Sequence, residues 1–260
     1  MGIVPGSALQ VEGGRTLPDP ESLRGMDLEA LRREAMRCTA CPLARTRTQV
    51  VFGEGNDKAD LLFLGEAPGR QEDTQGRPFV GAAGQVLDRI LAAADIARQE
   101  VYITNTVMCR PPGNRVPTPE ERAACRPFLD AKIREIRPSI VVLLGATAAQ
   151  SVLGPDLRIS RDRGRILEED GIRYMPTFHP AALLHDPSKK VPVWQDIQKV
   201  RDLYRGPGVP SSSRADSTGM DGQDGGSARE EGLSSEPEPE PDPEMKLAPH
   251  AVQRRLTWEA

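Results

Sequence analysis

Short, unbroken apolar runs alternate along this chain with stretches whose apolar residues recur at a helical period. Asp60–Leu64 (DLLFL), Val101–Val107 (VYITNTV) and Ile140–Leu144 (IVVLL) each read as a buried strand. Ala82–Ile96 sets Val86, Leu87, Ile90 and Leu91 at helical spacing, and a short helix after Asp27 does the same with Leu28 and Leu31. Thr118-Pro119-Glu120-Glu121 supplies a capping hydroxyl, a proline at the first helical position and an acidic third position, so a helix starts there and carries Cys125. Gly145 opens a short helix that stops near Gly154. Ile172–Thr177 leads into Phe178-His179-Pro180, and a last helix spans roughly Val193–Tyr204.

Strands alternating with helices imply parallel crossovers, and uniformly apolar strands imply a sheet covered on both faces. The pattern therefore predicts one three-layer α/β/α domain with a mainly parallel central sheet. In such sheets ligands bind beyond the carboxyl ends of the strands, where the loops after Leu64, Val107 and Thr177 lie. The domain is expected over residues 26–205. Residues 1–25 are rich in Gly and Pro without periodicity and read as a disordered arm. Residues 206–244 are Ser/Gly/Asp-rich and then Pro-Glu repetitive, an acidic linker unable to bury a core. Residues 245–260 regain apolar and basic side chains, as a partner-binding peptide would.

Charge adds an asymmetry. The net charge is −4, but five Lys/Arg and eleven Asp/Glu lie from Pro207 onward, so the tail carries −6 and the rest +2. A mildly basic body admits a nucleic-acid partner without demanding one. No apolar run is long enough to span a membrane, and MGIVPGSALQVEGG lacks the basic and apolar regions of a signal peptide, which predicts a cytoplasmic location.

In a reducing compartment four cysteines are more often metal ligands than disulfides. They stand at Cys38, Cys41, Cys109 and Cys125: a C-x2-C, a 67-residue gap and a C-x15-C. The first pair brings two thiolates to one turn, and two more complete a four-thiolate site. Spacing alone leaves an iron–sulfur cluster and a structural zinc in balance. Inside the gap runs GEAPGRQEDTQGRPFVGAAG (Gly65–Gly84), a glycine-rich turn with neither the P-loop lysine nor the dinucleotide fingerprint. Glu66, directly after a strand, can orient a water, although a solvated loop carboxylate is the commoner case. Asn105 is unusual in a strand and at its end can present an amide to a ligand. Phe79 reads as core unless it is a stacking platform at a site mouth. His179, one of three histidines, reads as a structural hydrogen-bonder unless a site claims it.

The combination of GEAPGRQEDTQGRPFVGAAG, TNTVMCRPPGNR and FHPAALL with these four cysteines resembles the family 4 uracil-DNA glycosylases, iron–sulfur enzymes of bacteria and archaea. The resemblance runs from about Asp27 to Arg205 and leaves out both tails. It implies that Cys38, Cys41, Cys109 and Cys125 ligate a [4Fe-4S] cluster of structural role. It implies a monofunctional, monomeric enzyme acting on uracil-containing DNA, releasing free uracil and leaving an abasic site. Glu66, Asn105 and His179 form the implied catalytic set. Phe79 stacks on the extruded uracil, Asn105 pairs with N3–H and O4, and His179 donates to O2. Backbone groups at Ala67 and Pro68 adjoin the base, and Glu66 positions the water. Glu72 orders the pocket loop or crowds uracil C5. Arg110, Asn114 and Arg115 hold flanking phosphates, and Leu183 and Leu184 wedge into the duplex unless at least one of them is core.

Two other readings stay open. A uracil-binding protein that traps its substrate needs a covalent histidine, and none lies between Cys109 and Cys125. A zinc-stabilised DNA-binding module without catalysis would be colourless. Gln253–Trp258 (QRRLTW) loosely fits the peptides that bind sliding clamps.

Overall fold

Each apolar run becomes a strand because its side chains can be covered on both faces. The computed structural model describes residues 10–11, 15–16 and 19–206. Six strands form one sheet: β1 (Glu54–Gly55), β2 (Leu61–Gly65), β3 (Tyr102–Asn105), β4 (Ile140–Leu144), β5 (Leu167–Glu169) and β6 (Ile172–Thr177), in the order β1-β3-β2-β4-β6-β5. The four central strands run parallel, as alternation with helices predicts, and β1 and β5 close the two edges antiparallel. These edge strands were not legible in the apolar pattern, since two and three residues carry no period. Gln10–Val11 and Arg15–Thr16 form a separate antiparallel ladder.

Helices cover both faces. Leu62, Leu64, Tyr102, Val141 and Leu143 share one core with α1 (Leu28–Arg37), α4 (Pro119–Ile136) and α5 (Ala146–Leu153). Leu61, Phe63, Ile103, Ile140 and Val142 alternate with them and so face the other side. There lie α3 (Ala82–Ala93), α7 (Pro180–His185) and α8 (Lys190–Arg205). Two short helices, α2 (Arg70–Gln75) and α6 (Ile159–Asp162), complete the set. The result is the expected three-layer α/β/α arrangement. Among the described residues no helix is long and apolar enough to cross a membrane.

Local signals set the helix starts. Asp27 caps α1 by accepting from Ala30 N at 2.7 Å. Thr118 and Glu121 form a reciprocal capping box at α4, with Pro119 in the first turn. β3 stops at Asn105, two residues short of the expected strand, but Thr106 N and Val107 N still donate to Gly65 O and Glu66 O. α3 ends at Ala93, ahead of the expected Ile96, because Asp95 turns to a φ of 55°.

Packing begins before residue 26. Residues 19–25 were expected to be disordered, yet Leu23 is buried in the core and its carbonyl accepts from Arg134 Nη2 at 3.0 Å. One well-covered leucine outweighs a breaker-rich composition. The linker 207–244, the peptide 245–260 and Gln253–Trp258 lie outside the described residues.

Candidate functional site

Parallel strands bring their carboxyl ends to one side, and in register Gly65 lies opposite Asn105. A cavity of about 430 Å3 opens there. Glu66, Ala67, Pro68, Glu72, Phe79, Asn105 and His179 all line it, so one pocket gathers residues from β2, β3, the loop before α3 and the start of α7. Asn114 and Arg115 form part of its wall, as does the turn Gly145-Ala146-Thr147. That turn was missed in sequence; its one signal was a glycine at a strand end.

Asn105 is 2% exposed, and among the described residues neither its Oδ1 nor its Nδ2 has a hydrogen-bond partner. A buried amide left so costs about 1–3 kcal/mol of desolvation, which a ligand with complementary groups would recover. The glycines make this geometry feasible. A Cβ on Gly65 would stand 2.3 Å from Asn105 Oδ1 and 2.6 Å from the Phe79 ring. Phe79 takes a φ of 51°, a left-handed conformation costly for an aromatic residue, with Gly84 packed so tightly beneath it that a Cβ would lie 1.9 Å from Phe79 O. Phe79 faces His179 with ring centroids 5.7 Å apart and planes inclined by 29°.

His179 has a defined proton. Its Nδ1 accepts from Ala181 N at 3.1 Å, which places the hydrogen of the neutral ring on Nε2. Burial lowers its pKa to about 4, against a smaller upward pull from Glu72. At neutral pH the ring is therefore an uncharged donor on the cavity wall.

Glu72 braces the loop. Its carboxylate accepts from Gly69 N at 3.1 Å, Val80 N at 2.9 Å and Gly81 N at 2.7 Å, tying the first turn of α2 to the segment that carries Phe79. Of the two roles expected for it, this contact set matches loop ordering. Glu66 is held by its backbone: its carbonyl accepts from Thr106 Oγ1 at 2.6 Å, and its half-buried carboxylate makes no hydrogen bond among the described residues.

The residues expected to touch DNA divide. Arg110 Nε donates to Asn114 Oδ1 at 2.7 Å. Arg115 is engaged by both oxygens of Glu121, at 2.7 and 2.8 Å, so its charge is already balanced at the pocket wall. Leu184 is 48% exposed, whereas Leu183 is 5% exposed and packed inside, so only Leu184 is free to enter a duplex. Successive residues of α7 project about 100° apart, enough to turn Leu183 into the core and leave Leu184 in solvent.

The four cysteines come from the end of α1, the turn after it, the loop after β3 and α4. Electrostatic influence runs between Cys38 and each of the other three, and between Cys109 and both Cys41 and Cys125. Burial raises the Cys109 thiol to about 11 and Cys125 to about 12, so their thiolates need a compensating cation. Donors already point at the sulfurs: Arg47 Nη1 reaches Cys109 Sγ at 3.2 Å, and backbone groups of Leu43 and Met108 reach Cys41 and Cys125. No three His, Cys, Asp or Glu side chains among the described residues converge as they would around a single ion. An all-thiol donor set of four neighbouring cysteines is of a kind that can hold an iron–sulfur cluster or a zinc ion.

The family model for the Uracil DNA glycosylase superfamily matches residues 52–198. Similar proteins include the type-4 uracil-DNA glycosylase of Thermotoga maritima, 45% identical over 182 residues, which cover 68% of this chain and 95% of the relative. The type-4 enzyme of Archaeoglobus fulgidus is 43% identical over 68% of this chain and 92% of its own length, and that of Sulfurisphaera tokodaii 42% over 68% and 84%.

Proposed function

Because the chain belongs to the uracil DNA glycosylase superfamily, and within it to the type-4 enzymes, we propose how its pocket divides the work of releasing uracil. The protein is a base-excision repair enzyme that removes uracil from DNA. The bond cut joins deoxyribose C1′ to uracil N1, and a base inside a duplex must leave the stack to reach any such pocket.

The observation that carries the proposal is Asn105, a buried amide with both ends unpartnered, facing the cavity beside Phe79 and His179. Its Oδ1 accepts from uracil N3–H and its Nδ2 donates to O4. Cytosine offers the reverse pattern and leaves buried groups unpaired, a penalty that rejects it. Phe79, held rigid by Gly65 and Gly84, supplies the stacking face. As the glycosidic bond breaks, its electron pair passes to the base, and negative charge gathers on O2. The His179 Nε2–H meets that charge without a change of protonation. The sugar is left cationic at C1′, and Glu66 directs a water to it. The water oxygen bonds to C1′ and its proton passes through Glu66 to solvent or to the departing uracil anion. Our reading assigns no lysine as a Schiff-base nucleophile, so the product is an intact strand with an abasic site.

Cys38, Cys41, Cys109 and Cys125 would hold a [4Fe-4S] cluster. Bound, it supplies cross-links between α1, the rim after β3 and α4, since hydrolysis transfers no electrons. Leu184 is the wedge in this reading, and Arg110 with Asn114 the phosphate contacts.

An oligonucleotide with one deoxyuridine tests the scheme. The purified protein is expected to release uracil, with strand breakage only after alkali, and failure to release it would end the reading. Asn105→Ala is expected to lower the rate by about 10²–10³, the worth of one preorganised group, without loss of thermal stability. A core asparagine satisfied elsewhere would lose stability instead.

A further inference from the structure

Lys132 lies in α4 and is 1% exposed. Its Nζ donates to Phe52 O and Thr104 Oγ1, both at 2.8 Å, and stands 4.7 Å from the centroid of the Phe52 ring. Arg32 lies over the same ring at 4.9 Å. Among the described residues no carboxylate pairs with Lys132. Burial presses its pKa down to about 8, Arg32 opposes its charge further, and the Cys125 thiol alone favours it. Buried charges in proteins are ordinarily paired, so this ammonium has donors satisfied but no counter-charge of ordinary kind.

Helix geometry shows where one belongs. Cys125 and Lys132 are seven residues apart on α4, two turns along one face, and helical side chains lean toward the N-terminus. The lysine stem therefore reaches back toward Cys125. We propose that Lys132 is the buried counter-charge of the cysteine-held cluster and that it raises the cluster's reduction potential. The inference rests on the cluster reading above. Four thiolates give such a cluster net negative charge, and one electron taken from an external mediator makes it one unit more negative, with no bond or proton exchanged. A fixed cation in a low-dielectric core stabilises the reduced form more than the oxidised one. The same ammonium bonds Thr104, the neighbour of Asn105, so it also joins the cluster side of α4 to the strand that bears the base-reading amide.

Potentiometric titration of the visible absorption of the holoprotein tests this, with Lys132→Gln and Lys132→Met as neutral variants and Lys132→Arg as the charge-retaining control. Either neutral variant is expected to shift the reduction equilibrium at least tenfold toward the oxidised form, about 59 mV for a one-electron couple. Both should also bleach faster under an iron chelator, while Lys132→Arg keeps the wild-type potential. A folded neutral variant at the wild-type potential overturns the proposal, and so does a Lys132→Arg potential as low as theirs, which assigns the effect to packing. A colourless, iron-free wild-type protein overturns the cluster reading itself, whereas a coloured one indifferent to residue 132 overturns only this inference.

Discussion

The neutral His179 makes a prediction about acid. Its pKa is about 4 folded and about 6.5 unfolded, so between those values the unfolded chain binds the extra proton. Stability is fully present above pH 6.5 and is lost as the pH falls through that window. The loss amounts to at most roughly 3 kcal/mol. Thermal melts from pH 7 to 4 are expected to show it in the wild type and to show less of it in His179→Gln. An equal slope in both would mean that other groups carry it. At this scale the sequence was partly legible. Asn105 stood out because asparagine is rare in strands, and His179 because three motifs occurred in order. That one of Leu183 and Leu184 is core was allowed for, but which one was not legible, nor was the ion pair of Arg115 to Glu121, because both depend on contacts that no local pattern encodes.

Among the elements, the loop between β2 and α3 is braced from within by Glu72. Glu72 gathers three backbone N–H groups and thereby fixes both α2 and the approach to Phe79. Glu72→Ala is expected to cost about 1.5–3 kcal/mol in chemical denaturation, the range for hydrogen bonds to a charged group. It should also raise KM for uracil-containing DNA. An unchanged KM would show that Phe79 keeps its place without the brace. Three of the four central strands were visible as apolar runs and α4 from its capping box, whereas β6 (IRYMPT) was not, because Arg173 and Pro176 interrupt its apolar pattern. α2 was invisible, since its six residues (RQEDTQ) are all polar and it is held by the carboxylates of Glu72 and the buried Asp73 rather than by a hydrophobic face.

For the whole molecule, the proposed cluster would make the cysteines the device that joins separate elements. Residues 38–47 and 109–117 gain their anchorage from α1 and α4 through the proposed cluster. Removing iron leaves buried thiols that cannot ionise in its place. Oxidative loss of the cluster is expected to lower Tm by roughly 2–4 °C for each kcal/mol that ligation contributes, and to open the 110–117 segment to proteases first. Identical melting of iron-loaded and iron-free protein would leave the thiols without a structural task. The layer order and the direction of the central strands were legible, because alternation of strand and helix leaves few topologies. Which cysteine neighbours which was not, since 67 residues and a whole crossover separate the two pairs.

The glycines around Phe79 carry a consequence for how this pocket can change over generations. A side chain at 65 strikes Asn105 and the Phe79 ring, and one at 84 strikes the Phe79 backbone. Position 84 stays bare as long as the backbone of residue 79 keeps its left-handed turn, whatever side chain stands there, and position 65 as long as Asn105 and the aromatic ring keep their places. A lineage retuning its base preference therefore has its first open step at residue 79 or 105, and the glycines can change only after it.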